Sequence, residues 1–100
     1  MSATMVKYRV KPDRSEENVE LIRAVYAELD DGQFPHIRYS TWMLEDGVTF
    51  VHVASVDGEG RAPLSDISSF RKFREGLDER CENGPERTQL TTKLGSYAAG

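Results

Sequence analysis

Residues 5–11 read MVKYRVK, in which apolar or aromatic side chains alternate with charged ones from Val6 onward. The members on the first side of the alternation are Val6, Tyr8 and Val10. A period of two residues is typical of a β-strand with one covered face. The pattern predicts a first strand that Pro12 ends, because proline has no N–H to donate to a neighbouring strand.

The apolar period changes to three and four residues after the first strand. The recurring positions are Val19, Ile22, Tyr26 and Leu29. This spacing predicts a helix over about 15–31 with one apolar stripe. Ser15 is placed to cap it, since a serine hydroxyl accepts from a free N–H of the first turn, and Gly32 supplies the stop.

The rest of the chain predicts two strands, a second helix and a fourth strand. The strands at 37–44 and 48–55 are joined by EDG, and a loop follows at 56–63. SSFRKFREGLDERC predicts a helix over 68–81, capped by Ser68, with an apolar stripe at Phe70, Phe73, Leu77 and Cys81. ENGPER is expected to break that helix, and the alternation at 88–97 predicts the last strand.

The predicted order, β-α-β-β-α-β, is that of an α+β, ferredoxin-like fold. We expect one domain over residues 1–100, with an ordered core at about 5–97. Four antiparallel strands in the order 4-1-3-2 would carry two helices on one face, because right-handed crossovers leave few alternatives. The other face of the sheet would then lie against water or against another molecule.

The hairpin RYSTWMLEDGVTFVHVAS carries large apolar side chains at both alternating sets of positions. An exposed apolar sheet face usually marks an interface or a ligand site. We therefore predict a homodimer in which two open sheet faces pack together.

The register of this hairpin decides which residues share a face, and EDG allows two registers. A two-residue turn at Asp46-Gly47 would place Trp42 and His52 on opposite faces. A three-residue loop with Gly47 in a bulge would place Trp42, Phe50, His52 and Ser40 together on the open face, with Arg38. We favour the bulged loop, because it asks for a positive φ only of glycine.

Charge and composition narrow the partners and the location. The chain has 13 basic and 17 acidic residues, a net charge of −4. Nucleic-acid binding needs a basic footprint, anionic membranes need basic patches, and no window approaches the ~20 apolar residues of a span. We expect neither partner. With a single cysteine, Cys81, and no apolar leader, the expected location is cytoplasmic.

No cofactor motif is present in the sequence. Two histidines and one cysteine without a short-spaced cluster do not predict a metal site. The chain has no glycine-rich phosphate loop and no dinucleotide fingerprint. We therefore expect neither a metal nor a cofactor.

The element order, the hairpin, and FRKFREGLDERC followed by a proline break and LGSY resemble the dimeric α/β-barrel superfamily over roughly residues 5–97. The nearest group is the small antibiotic-biosynthesis-monooxygenase-like proteins. That superfamily includes cofactor-free monooxygenases acting on polyketide phenols, haem-degrading enzymes, and members with no assigned activity. The resemblance lies in element order and hydrophobic pattern, and it transfers no catalytic residue to this chain. It implies a cofactor-free monooxygenase activity on a small aromatic compound.

Two hypotheses follow for the candidate residues. In the first, His52 is a general base or hydrogen-bond partner kept neutral by burial, and Trp42, Phe50 and Tyr39 stack on an aromatic substrate beside Arg38. Four tyrosines, Tyr8, Tyr26, Tyr39 and Tyr97, are further candidates to hydrogen-bond a phenol. In the second, these aromatic side chains only pack, and the chain is a non-catalytic ligand-binding or structural dimer.

Overall fold

A four-stranded antiparallel sheet with helices packed on one face forms the molecule, as the α+β prediction required. The structure is a computed structural model and describes residues 3–32, 34–56 and 64–97. The strands are β1 (Ala3–Val10), β2 (Ile37–Met43), β3 (Thr49–Val56) and β4 (Cys81–Leu90), and the helices are α1 (Ser15–Asp31), α2 (Ser68–Glu75) and α3 (Leu77–Arg80). Short 3-10 turns occupy Pro12–Arg14 and Leu64–Asp66.

The sheet order is β2-β3-β1-β4, which confirms the predicted order 4-1-3-2. Residues that pair directly across antiparallel strands point to the same face, so the register sorts side chains into rows. One row on the helix-covered face consists of Thr41, His52, Val6 and Arg87. The adjacent row on the open face consists of Trp42, Val51, Lys7 and Glu86. The covered face holds the core, whose buried members are Tyr8, Val10, Ile22, Val25, Phe50, Phe73 and Leu77.

The β2–β3 hairpin has the register of the two-residue turn, so the favoured bulged register is wrong. Leu44 N–H donates to the Thr49 carbonyl at 2.8 Å, and Gly47 N–H donates to the Leu44 carbonyl at 3.0 Å. Only Gly47 in this turn has a positive φ, +73°. As in the bulged loop, a positive φ is required only of glycine, but the loop spans four residues, 45–48, instead of three.

The Asp46 carboxylate explains why the longer loop is stable. It accepts from the N–H groups of Val48 and Thr49 at 3.0 and 2.8 Å, and from the Thr49 hydroxyl at 2.6 Å. These bonds satisfy backbone donors that would otherwise need a strand partner. They also lower the pKa of the Asp46 carboxyl.

The observed register separates the candidate residues. Phe50 and His52 are buried beneath the helices, at 1% and 5% exposure, whereas Trp42 lies on the open face and is 55% exposed. Placing Trp42, Phe50 and His52 together on the open face was therefore wrong. Val51 and Val53 lie on the open face with Trp42.

The helix termini differ from their predicted caps. The Ser15 hydroxyl donates to the Gly47 carbonyl at 2.6 Å and caps nothing in α1. At the start of α2, Glu28 of α1 takes the capping role expected of Ser68: its carboxylate accepts from the Ser69 N–H at 2.9 Å. A carboxylate from a neighbouring helix thus satisfies a free first-turn donor and joins α1 to α2.

The last strand begins at Cys81, and its predicted placement at 88–97 is wrong. The predicted second helix divides at Gly76 and ends at Arg80. Residues 91–97 have no regular secondary structure. The pairing of β1 with β4 shifts register between Lys7 and Arg9, and Gly84 has φ +94° at the shift. The helix ends before ENGPER, as predicted, but ENGPER lies within β4 and contains a β-bulge.

Candidate functional site

His52 lies at the centre of a buried hydrogen-bond network beneath α1 and α2. The Tyr8 hydroxyl is 2.7 Å from its Nε2 atom, and the Tyr39 hydroxyl is 2.6 Å from its Nδ1 atom. The Thr41 hydroxyl is also near Nδ1, at 3.1 Å. We call Tyr39, His52 and Tyr8 the relay, because hydrogen bonds join the three side chains in series.

The relay continues into a buried amide and a buried cation. Asn18 Nδ2 donates to the Tyr8 hydroxyl oxygen at 3.0 Å, and Arg80 Nε donates to Asn18 Oδ1 at 3.0 Å. Arg80 also donates from Nη2 to the Phe73 carbonyl at 2.8 Å, and its guanidinium carbon lies 5.3 Å from the Phe73 ring centroid. Asn18 and Arg80 are 0% and 1% exposed.

These contacts determine which atoms donate and which accept at the Arg80 end of the network. A guanidinium has only donors, so the Asn18 atom facing Arg80 is the carbonyl oxygen, and the amide NH₂ faces Tyr8. The Tyr8 oxygen therefore accepts from Asn18. Either the Tyr8 hydroxyl donates to Nε2 while Nδ1–H faces Tyr39, or the Tyr39 hydroxyl donates to Nδ1 while Nε2–H faces Tyr8. The imidazole is neutral in both arrangements.

Burial sets the charge state of the relay. It lowers the pKa of His52 from 6.5 to about 4, because desolvation disfavours the imidazolium. Desolvation likewise raises the pKa of the Tyr8 and Tyr39 hydroxyls. All three groups are neutral at pH 7. This agrees with the neutral His52 expected from the sequence, although the burial comes from the helices and not from the open face.

A cleft of about 440 Å³ opens beside the relay. Such a volume falls within the usual range for small-molecule sites, ~300–1,000 Å³. Its apolar and aromatic lining includes Val6, Ala54, Leu64, Phe70, Phe73 and Leu77, and its polar lining includes Tyr8, Tyr39 and His52. The charged lining residues, Arg74, Asp78 and Arg87, are exposed and so stand at its solvent side.

The aromatic walls are held in fixed contact with the relay. The Tyr39 and Phe70 rings meet edge to face with centroids 6.1 Å apart, and the His52 and Phe73 rings are 5.3 Å apart. Tyr26 stacks on Tyr39 at 5.2 Å and bonds the Thr41 hydroxyl at 2.9 Å. Packing and hydrogen bonds together fix the position of the Tyr39 hydroxyl.

Two of the five predicted site residues, His52 and Tyr39, line the cleft. Phe50 stacks under Tyr8 with ring centroids 5.6 Å apart and belongs to the core. Trp42 and Arg38 lie on strand β2 in rows of the open face. Sequence reasoning therefore brought together only part of the site.

Asn18, Arg80 and Thr41 were missed, and the first two left a signal. Asn18 precedes Ile22 and Val25 at spacings of four and seven, and Arg80 follows Leu77 and Phe73 at spacings of three and seven. Each is a polar residue on the apolar stripe of a helix, where burial requires a hydrogen-bond partner. Thr41 left no such signal, because threonine is ordinary in a strand.

The described residues contain neither a metal-binding cluster nor a membrane-spanning helix. Among residues 3–32, 34–56 and 64–97, no three His, Cys, Asp or Glu side chains group closely enough to hold a metal ion. In the same ranges no helix combines the length and apolar character that crossing a bilayer requires.

Searches against protein-family models and against curated proteins found no match. Solved structures share the fold. A conserved protein from Methanosarcina mazei is 16% identical, with a TM-score of 0.73 and 92% of each chain covered. A Nitrosomonas europaea protein proposed to be an antibiotic biosynthesis monooxygenase is 17% identical, with a TM-score of 0.73 over 92% of this chain and 98% of its own.

A third protein, from Chloroflexus aurantiacus and with the same proposed assignment, is 13% identical, with a TM-score of 0.64 over 99% of this chain and 98% of its own. The chain thus has the ferredoxin-like fold of the antibiotic-biosynthesis-monooxygenase-like proteins, and the resemblance suspected from element order is confirmed at the level of the fold.

Proposed function

We propose that this protein is a cofactor-independent oxygenase that acts on a small phenol bound in the cleft. The observation that carries the proposal is the relay, which presents a neutral imidazole and two tyrosine hydroxyls at the floor of a cleft with aromatic walls. The shared fold with proteins proposed to be monooxygenases supports the same class.

The reaction balances without an added reductant. A phenol with a free ring C–H reacts with O₂ to give a quinone and water. The phenol loses four electrons and O₂ gains four, because one oxygen atom becomes the new carbonyl and the other leaves as water. The substrate therefore supplies every electron that the oxygen requires.

The relay supplies the proton transfers. The phenol proton passes through the Tyr39 hydroxyl toward His52, the ring carbon of the phenolate bonds to O₂, and the same proton returns to the peroxide oxygen. Loss of the ring hydrogen with the distal hydroxide then breaks the O–O bond and releases water. A bound phenolate favours the imidazolium, because opposite charges nearby raise the pKa of a base. Asn18 and Arg80 are positioning residues, since they orient Tyr8 without facing the substrate.

Turnover of phenols in air, followed with an oxygen electrode, tests this proposal. Tyr39→Phe keeps the ring and removes the hydroxyl, and we expect it to lower kcat by about 10²-fold or more. His52→Gln keeps hydrogen bonding without proton uptake, and a similar loss is expected. Tyr97→Phe is the matched control, because Tyr97 is 91% exposed. Tight binding of phenols with no oxygen uptake would instead favour a non-catalytic ligand-binding module.

We further propose that the open sheet face forms a homodimer. Its central apolar side chains are Met5, Trp42, Val51 and Val53, and Lys7 and Ser40 lie in the same rows. Trp42 is large and 55% exposed in the single chain, and dimerisation would cover it. In this proposal Trp42 and Arg38 belong to the dimer surface and not to the cleft.

A further inference from the structure

We propose that the cleft selects a phenol that also carries a carboxylate, an aromatic hydroxy acid. This inference rests on the proposed function and names the substrate class of the same site. It comes from the charges at the solvent side of the cleft, which the relay chemistry does not use.

The described charged residues of the cleft carry a net positive charge, whereas the whole chain carries a net negative one. The whole chain carries 17 acidic and 13 basic residues. Among the residues that the structure describes, the charged side chains that line the cleft are those of Arg74, Arg87 and Asp78. A local excess of arginine on an acidic protein attracts an anionic ligand and has little effect on a neutral one.

The two arginines approach from different elements. Arg87 of β4 lies in the covered row that also holds Val6 and His52, so its side chain starts on the same face as the relay. Arg74 of α2 holds its guanidinium carbon 6.0 Å from the centroid of Phe70, a wall residue of the cleft. Among the described residues, neither Arg74 nor Arg87 forms an ion pair with Asp78. A planar guanidinium fork suits a carboxylate, which accepts two parallel hydrogen bonds.

The spacing limits the length of the ligand. His52 on β3 and Arg87 on β4 are separated by β1, which is two strand spacings or about 10 Å between backbones. A ligand that spans this separation has its phenol hydroxyl at the relay and its carboxylate near Arg87 at opposite ends. A bicyclic hydroxy acid or a propenyl-extended one has this shape, whereas an ortho-hydroxybenzoate does not.

Isothermal titration with a matched pair of ligands tests the inference. The probes are 6-hydroxy-2-naphthoate and its neutral methyl ester. We expect the wild-type protein to bind the acid at least about 10-fold more tightly than the ester, a difference typical of one charge-assisted contact. Arg87→Gln and Arg74→Gln should each weaken the acid by about 5-fold or more and leave the ester unchanged. Asp78→Asn should tighten the acid.

Arg23→Gln is the control, because Arg23 lies on α1 with its side chain 73% exposed and outside the cleft. It should change neither ligand. Equal affinity for acid and ester, or equal weakening of both by the arginine substitutions, would overturn the inference. Circular dichroism of each variant shows that a loss of binding is not a loss of folding.

Oxygen uptake separates this inference from the proposed function. If the acid binds with the expected arginine dependence and no oxygen is consumed, the substrate class stands as a ligand class and the oxygenase proposal fails. If neutral and acidic phenols are oxidised with equal kcat/KM, the oxygenase proposal stands and the carboxylate selection fails.

Discussion

Replacing His52 with glutamine should remove a specific part of the acid sensitivity of folding. The folded protein keeps His52 neutral until about pH 4, whereas an unfolded histidine takes up a proton near pH 6.5. Above pH 6.5 neither state binds this proton, so protonation of His52 takes nothing from the free energy of unfolding. Between pH 6.5 and 4 only the unfolded state gains it, so stability falls as the pH falls.

The magnitude follows from the gap between the two pKa values. The interval from 6.5 to about 4, at about 1.36 kcal/mol per unit, corresponds to about 3 kcal/mol. Because a domain of this size is stable by only about 5–15 kcal/mol, the effect is large enough to measure. At pH 7, His52→Gln should cost about 1–2 kcal/mol, since glutamine cannot reproduce both hydrogen bonds to the tyrosines.

Urea denaturation of the wild type and the variant at pH 7, 5.5 and 4, at one protein concentration, gives the required free energies. The deficit of His52→Gln at pH 7 should vanish and reverse by pH 4, because the variant lacks the protonation that destabilises the wild type. His36→Gln is the control and should keep the loss of stability that His52 causes between pH 6.5 and 4, because it retains His52. Parallel pH profiles for wild type and His52→Gln would refute the assignment of a buried neutral imidazole, as would an NMR titration of His52 centred near 6.5.

Three further predictions test the surroundings of the relay. Asn18→Ala removes one buried hydrogen-bond partner from each of the Arg80 guanidinium and the Tyr8 hydroxyl, so it should cost about 2–4 kcal/mol in urea denaturation; a loss below 1 kcal/mol would contradict the network. Gly84→Ala should destabilise more than Gly47→Ala, because both need a positive φ but only at Gly84 would a Cβ lie 3.1 Å from the Lys7 carbonyl oxygen; equal losses would contradict this. Trp42→Arg should give monomers in sedimentation at micromolar concentration while leaving the circular dichroism unchanged; an undisturbed dimer would exclude the open face as the interface.

The sequence predicted the order of elements, because β1 and α1 have clear periods. Strand β1 alternates from Val6 to Val10, and α1 (Ser15–Asp31) keeps its apolar stripe and carries negative charge in its first turn. These local signals agree with the global fold, so the sheet order follows from the handedness of the connections.

The hairpin register and the last strand could not be predicted, since side-chain contacts decide both. The Asp46 carboxylate stabilises a four-residue loop by bonding two backbone N–H groups, which the letters EDG do not reveal. Gly84 permits a bulge that continues β4 through a segment with the composition of a break. A one-residue change of register exchanges the two faces of a strand, so this single error placed Phe50 and His52 on the open face beside Trp42, although both are buried under the helices.

Reaction of the wild-type protein with a hydroxynaphthoate under ¹⁸O₂, in buffer free of reductant and added metal, tests the oxygenase proposal most directly. Mass spectrometry of the product should show one ¹⁸O atom per quinone, and Tyr39→Phe should form that product about 10²-fold more slowly. A product without ¹⁸O, or equal rates for the wild type and Tyr39→Phe, would contradict oxygenation at the relay.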